Sequence, residues 1–194
     1  PARVVVVTGH GGAEVGAALE RIAPEAVVAV QAEQRGTAHA VAQALPLLDG
    51  VAGDIVVLYG DTPLIRAETL AAMQAARARH EVVVLGFEAA DPGRYGRLIA
   101  RGEDLERIVE YKDASAAERA VTLCNSGVVC AGAGLLAELV AEVGCENAAG
   151  EYYLTDIVAL ARARGLSAGV VTCPEAETMG VNTRSELARA EAVF

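Results

Sequence analysis

Positive charge is scarce in this sequence. Sixteen Lys and Arg residues stand against twenty-six Asp and Glu, a formal net charge of −10 over 194 residues. That balance argues against a generally basic face and so against non-specific nucleic-acid binding. Anionic small substrates stay open, provided that helix N-termini, a divalent metal or selected cations offset the field. Lysine is scarcer still, because every basic residue but Lys112 is an arginine. The four cysteines, Cys124, Cys130, Cys145 and Cys173, form no C-x-x-C and no metal-ligand spacing. They read as small buried apolar residues of a reducing compartment. No apolar run approaches a membrane span, and no charged start followed by an apolar stretch marks a signal peptide, so a cytoplasmic protein is expected. Internal repeats, low-complexity segments and Pro/Ser-rich linkers are also missing. So is any Ser-His-Asp or Cys-His arrangement: His10, His39 and His80 have no acid-base partners by spacing.

What is present is a core. At 53% hydrophobic residues the chain is globular and long enough for one domain of class α/β. Residues 3–8, RVVVVT, predict a strand, followed by a Gly-rich turn and an amphipathic stretch ending near Ile22. A strand at 26–30, the loop QAEQRG and a helix over 37–48 come next. DIVVLY predicts a strand, GDTP a loop, and the spacing of Leu70, Met73 and Ala76 a helix over 67–79 with one buried face. EVVVLGF is a further non-alternating strand, and the alternation of such strands with helices predicts a mostly parallel sheet covered on both faces. After Asp91, YGRLIA and LERIVEY predict a β-hairpin. A strand at 121–130, a helix at 134–143, a helix capped by Thr155 that stops at Gly165, and a last helix with a Thr183/Glu186 capping box complete the reading.

In an open α/β sheet, ligands collect at the carboxyl ends of strands. Asp61 sits at such an end, with Gly60 beside it, where an acid could hold a hard cation through oxygen. The bland alternative is a turn aspartate before Thr62-Pro63. The first Gly-rich turn, TGHGGAEVG, has Glu14 where a dinucleotide fingerprint needs Gly or Ala, and reads as a tight turn only. The amide-rich loop QAEQRGTAHAV says more, because a glutamine amide both donates and accepts on one edge, as a pyrimidine does.

QAEQRGTAHAV, VLYGDTPLI, RYGRLI, IVEYKDA, CNSGVV, NAAGEYYLTDIVALA and GVNTRSEL together resemble the bacterial N-acetylglucosamine-1-phosphate uridylyltransferases, the amino-terminal half of a bifunctional enzyme that makes UDP-N-acetylglucosamine. The resemblance runs from the first residues to about Leu187. It implies a Rossmann-like nucleotidyltransferase fold with a smaller, hairpin-containing sugar-binding lobe: residues 1–90 for the nucleotide and 91–194 for the sugar phosphate, within one domain. It also implies a place in cell-wall precursor synthesis. The sequence opens after the family's first strand and its loop of the form L-x-A-G-x-G-T-R-M, and the acetyltransferase half is absent.

By resemblance, Gln31, Gly36 and Thr37 match the uracil-reading loop, and Tyr59, Gly60 and Asp61 the strand end facing ribose and metal. Asp61 and Asn182 match the Mg²⁺ ligands on which catalysis depends. Gly96, Glu110 and Asn125 match positions that hold N-acetylglucosamine, Thr155 lies in the motif near the sugar phosphate, and Lys112 follows Glu110 as a local charge or a surface residue. The implied partners are UTP, N-acetylglucosamine 1-phosphate and UDP-N-acetylglucosamine, with oligomeric state left open and a homo-oligomer among the options. Two rivals stand beside this reading: a nucleotide-sugar binding module without turnover, and a nucleotidyltransferase acting on another sugar phosphate.

Overall fold

The computed structural model describes residues 2–193. In chain order the elements are β1 (Val5–Thr8), α1 (Gly12–Ile22), β2 (Val27–Val30), α2 (Thr37–Ala44), β3 (Asp54–Val57), α3 (Ala67–Ala76), β4 (Val82–Glu88), β5 (Arg97–Arg101) and β6 (Asp104–Val109). They continue with α4 (Ala116–Arg119), β7 (Leu123–Gly132), α5 (Ala133–Glu142), α6 (Asp156–Ala163), β8 (Ala168–Cys173) and α7 (Arg184–Glu191). Contacts divide the chain into two compact units that alternate along it: residues through Gly53 with Ala133–Ile157, and Asp54–Gly132 with residues from Val158 onward.

In the first unit the valine run of β1 pairs in parallel with β2, Val5 opposite Val27 and Thr8 opposite Val30. A parallel pair needs a crossover, and α1 supplies it. Helix α2 buries Ala38, Val41 and Ala44. It tightens into a 3-10 turn over Leu45–Leu48 instead of running on to residue 48 as an α-helix. Pro46, with no N–H to donate to the preceding turn, accounts for the change.

The second unit is built on a six-stranded sheet in the order β3-β7-β4-β8-β6-β5, with β5 also meeting β7 where Arg97 faces Cys124. Central β4 is buried at every position from Val82 to Phe87, as its non-alternating sequence predicts. The α/β class holds, but strand direction is mixed where a mostly parallel sheet was expected. β4 and β8 run parallel, while β3–β7, β4–β7, β5–β6 and β6–β8 are antiparallel. Burial on both faces produces an unbroken apolar run in either direction, so the pattern could not tell them apart. The 95–111 hairpin is present as β5 and β6. Helix α3 lays Leu70, Met73 and Ala76 against Val83, Leu85, Val128 and Cys130, the face its spacing predicts.

Candidate functional site

In the first unit, the loop between β2 and α2 is fixed by a segment far along the chain. Tyr152 N–H donates to Arg35 O at 2.9 Å, and Ala38 N–H donates to Tyr152 O at 2.9 Å. Thr37 Oγ1 accepts from Leu154 N–H at 2.9 Å. Gly36 lies in the middle of this clamp with φ +113°, and a Cβ there would stand 2.5 Å from Tyr152 O. Packing alone therefore accounts for Gly36 and for one function of the Thr37 hydroxyl.

Gln31 is different. Its residue is 8% exposed, and its amide nitrogen lies 3.0 Å from Gly36 O and 3.0 Å from His39 Nδ1. One N–H donates to Gly36 O, and the other side of the amide nitrogen faces the His39 ring. The amide oxygen makes no hydrogen bond among the described residues and reaches solvent. The sequence suggests a glutamine that donates and accepts on one edge; the folded chain leaves the acceptor alone.

In the second unit, the strand end after β3 is held against the stretch before α7. Val181 N–H donates to Asp61 O at 2.7 Å, and the turn itself is closed by Thr62, whose N–H and hydroxyl both reach Tyr59 O. The Asp61 carboxylate takes no part in that turn, and it makes no hydrogen bond or ion pair among the described residues. An aspartate that shapes a turn accepts from the N–H two residues on, and here that residue is Pro63, which has none. A Cβ on Gly180 would lie 3.3 Å from Asn182 Nδ2 and 3.9 Å from Asp61 Oδ2, so the bare α-carbon leaves a cradle on which the two side chains converge. Asn182 is fixed from behind: Glu186, part of the expected cap of α7, accepts Asn182 N–H at 2.8 Å. This bond, with that to the Thr183 hydroxyl, holds the Glu186 carboxyl below its ordinary range.

One carboxylate and one amide oxygen are hard ligands, and Mg²⁺ keeps several waters and takes phosphate oxygens for the remainder. The pair fits such an ion with the Asn182 amide turned so that its oxygen, in place of Nδ2, faces the cradle. Among the described residues there is no group of three or more His, Cys, Asp or Glu able to hold a metal. The thiols have no part in this: burial pushes Cys130 and Cys173 up to about 11, so both stay protonated at neutral pH.

Gly96, Glu110 and Asn125 come together at matching ends of β5, β6 and β7. Asn125 N–H donates to Gly96 O at 2.8 Å, and a Cβ on Gly96 would lie 3.4 Å from Glu110 Oε1 and 3.6 Å from Asn125 Cβ. Asn125 Oδ1 accepts Gly127 N–H at 3.0 Å, which leaves its amide N–H groups facing outward from that bond. A carboxylate beside an amide donor is a set suited to sugar hydroxyls. Tyr59 packs its ring on Gly127, whose φ is +89°. Gly60 is exposed beside Asp61, Thr155 directly precedes α6 in the first unit, and Lys112 is exposed.

Two buried charged residues escape the sequence reading. Arg97 is 1% exposed and donates to Pro92 O, Gly93 O, Tyr95 O and Arg119 O, fastening the loop that carries Gly96. Glu177 accepts Thr69 Oγ1–H at 2.6 Å and Arg66 N–H at 3.2 Å, capping α3 from outside the helix. Arg97 had its place in RYGRLI as a signal; Glu177 had none, because its partners lie far away in sequence.

The family model described as "MobA-like NTP transferase domain" matches residues 1–128. Along the whole chain, the sequence is 69% identical to the bifunctional protein GlmU of Cereibacter sphaeroides and 61% identical to that of Ruegeria sp.. It spans 43% of the length of each of these relatives. Among solved structures, a nucleoside-diphosphate-sugar pyrophosphorylase from Vibrio cholerae superposes with a TM-score of 0.70 at 16% identity, over 95% of this chain and 78% of the other. A UDP-glucose pyrophosphorylase complexed with UDP-glucose gives 0.66 at 14% identity, over 98% and 81%. At such identities these two speak for the fold.

Proposed function

Because this chain belongs to the MobA-like NTP transferase domain family, a family of nucleotidyltransferases, we propose that it forms UDP-N-acetylglucosamine and pyrophosphate from UTP and N-acetylglucosamine 1-phosphate. The observation that carries the reading is the Asp61 carboxylate, left without a partner among the described residues and converging with Asn182 on the cradle at Gly180. The likeness to the GlmU proteins supports the choice of substrates.

The reaction is an in-line displacement. An oxygen of the sugar phosphate attacks the α-phosphorus of UTP, the new P–O bond forms, the α–β anhydride bond breaks, and pyrophosphate leaves with the electron pair. A phosphate monoester is already ionised near neutral pH, so the chain needs no general base, in keeping with histidines that show no acid-base partner by spacing. Held by Asp61 and Asn182, Mg²⁺ would supply charge neutralisation at the reacting phosphates. The chain's own part is positioning: Gln31 reads the base, Glu110 and Asn125 hold the sugar, Arg97 fixes the loop behind Gly96, and the motif that contains Thr155 is assigned to the sugar phosphate by the resemblance. The product is a cell-wall precursor nucleotide, and the reaction belongs in the cytoplasm. Among the described residues no helix is long and apolar enough to cross a membrane.

A magnesium titration of pyrophosphate release tests this. Asp61→Asn keeps volume and removes charge, so its magnesium requirement should rise strongly while its melting temperature stays near that of the wild type. Unchanged magnesium dependence would return Asp61 to a purely local role. Saturable UDP-N-acetylglucosamine binding with no turnover by the wild type would favour the binding module instead.

A further inference from the structure

His39, to which spacing assigns no chemistry, has a ring nitrogen 3.0 Å from the Gln31 amide nitrogen. A backbone carbonyl can only accept, so the 3.0 Å contact with Gly36 O requires the Gln31 NH₂, not its oxygen, to face that way. The second N–H then faces His39 Nδ1, and this 3.0 Å contact, the shorter of the ring's two amide contacts, points to Nδ1 as the unprotonated nitrogen, with the ring proton on Nε2. On the far side of the ring, Gln43 Nε2 lies 3.3 Å from His39 Nε2 and 3.1 Å from His39 O. It too donates to a carbonyl, so the choice between the two ring nitrogens rests on distance, 3.0 Å at Nδ1 against 3.3 Å at Nε2.

We propose that His39 is a positioning residue that takes up the second donor of Gln31, so that this point of the chain offers a base one acceptor and no donor. The inference rests on the uridine reading above. Uracil carries N–H at N3, where cytosine carries a lone pair; an acceptor-only Gln31 favours the first and repels the second at that atom. Without the ring acceptor, one Gln31 N–H is left uncommitted in a nearly buried position, and the amide turns that donor toward whatever can receive it. Base discrimination then falls, over and above any loss of affinity.

Two measurements test the proposal. Long-range ¹⁵N–¹H correlation spectra of the 194-residue chain, with only His10, His39 and His80 to assign, should show His39 as the neutral Nε2–H tautomer. An Nδ1–H tautomer overturns the assignment whether or not uridine is the ligand. Calorimetric titration with UTP and CTP then compares His39→Asn, whose amide oxygen can replace Nδ1 as acceptor, with His39→Phe, which keeps a ring and removes the acceptor. His39→Asn should hold the UTP/CTP affinity ratio within about twofold of the wild type, and His39→Phe should lower it about tenfold, the scale of one buried donor left unpaired. A ratio that His39→Phe leaves unchanged, with both affinities falling together, makes His39 structural only and overturns the proposal. A wild type that binds both nucleotides alike overturns the uridine reading and the specificity role with it.

Discussion

Gly36 and Thr37 were visible in the sequence as part of a motif, yet the reason for them was not. Their partners are backbone groups of Tyr152 and Leu154, more than a hundred positions away, and a linear pattern cannot display that distance. The consequence is a change in what their substitution should do. Gly36→Ala forces a side chain into a positive-φ position against Tyr152 O and should cost more than about 2 kcal/mol of stability. Thr37→Val leaves Leu154 N–H without its acceptor, at a cost of about 1–3 kcal/mol. Urea unfolding should show both losses with no nucleotide present. A Thr37→Val chain as stable as the wild type but selectively weak for UTP would put the hydroxyl back on the base. Gln31 was legible for the opposite reason: residue type alone announces an amide in a loop before a helix. Which of its atoms remains available depends on Gly36 and His39, and only the folded chain shows that.

At the scale of elements, legibility followed periodicity. Leu70, Met73 and Ala76 mark α3 unaided, and the Thr183/Glu186 spacing marks the start of α7. Strand β8, AGVVTC, escaped because two small residues and a threonine dilute its short apolar run. Helix α4, a single turn, is too brief for any period, although Ser115 and Glu118 form a full capping box around it. That box yields a pH prediction. The Ser115 hydroxyl and then Arg107, 2.6 Å away, hold the Glu118 carboxyl down at about 2 from its ordinary 4.5. Because the folded value is the lower, its contribution is complete above the ordinary value and fades as pH falls toward 2. The difference in melting temperature between wild type and Glu118→Gln should therefore be constant above about pH 5 and close as the solution is acidified. A difference that persists at pH 2 would assign the loss to shape instead of charge. Glu177 makes a sharper case, since its one oxygen serves both the first turn of α3 and the Thr69 hydroxyl. Glu177→Ala should destabilise the chain by roughly 2–4 kcal/mol and Glu177→Gln by about 1 kcal/mol, because the amide keeps an acceptor. Equal losses in urea unfolding would mean that the charge, and not the acceptor, matters.

For the whole molecule, composition set the class and the resemblance set the expected fold, while strand direction and the alternation of the two units lay beyond both. That alternation bears on how the chain is made. Residues through Gly53 leave the ribosome before Ala133–Ile157, yet the clamp on Gly36 and the helix α5 belong to that later stretch. All of Asp54–Gly132 must be translated in between, which at about 5–20 residues per second takes roughly 4–16 seconds. Over that interval helix α2, whose Ala38, Val41 and Ala44 are buried in the finished unit, awaits its partner α5. Of the two units, the one begun earlier is thus the one that must wait to be finished, and a chaperone that shelters apolar nascent chain has its opening there, before Ala133 emerges.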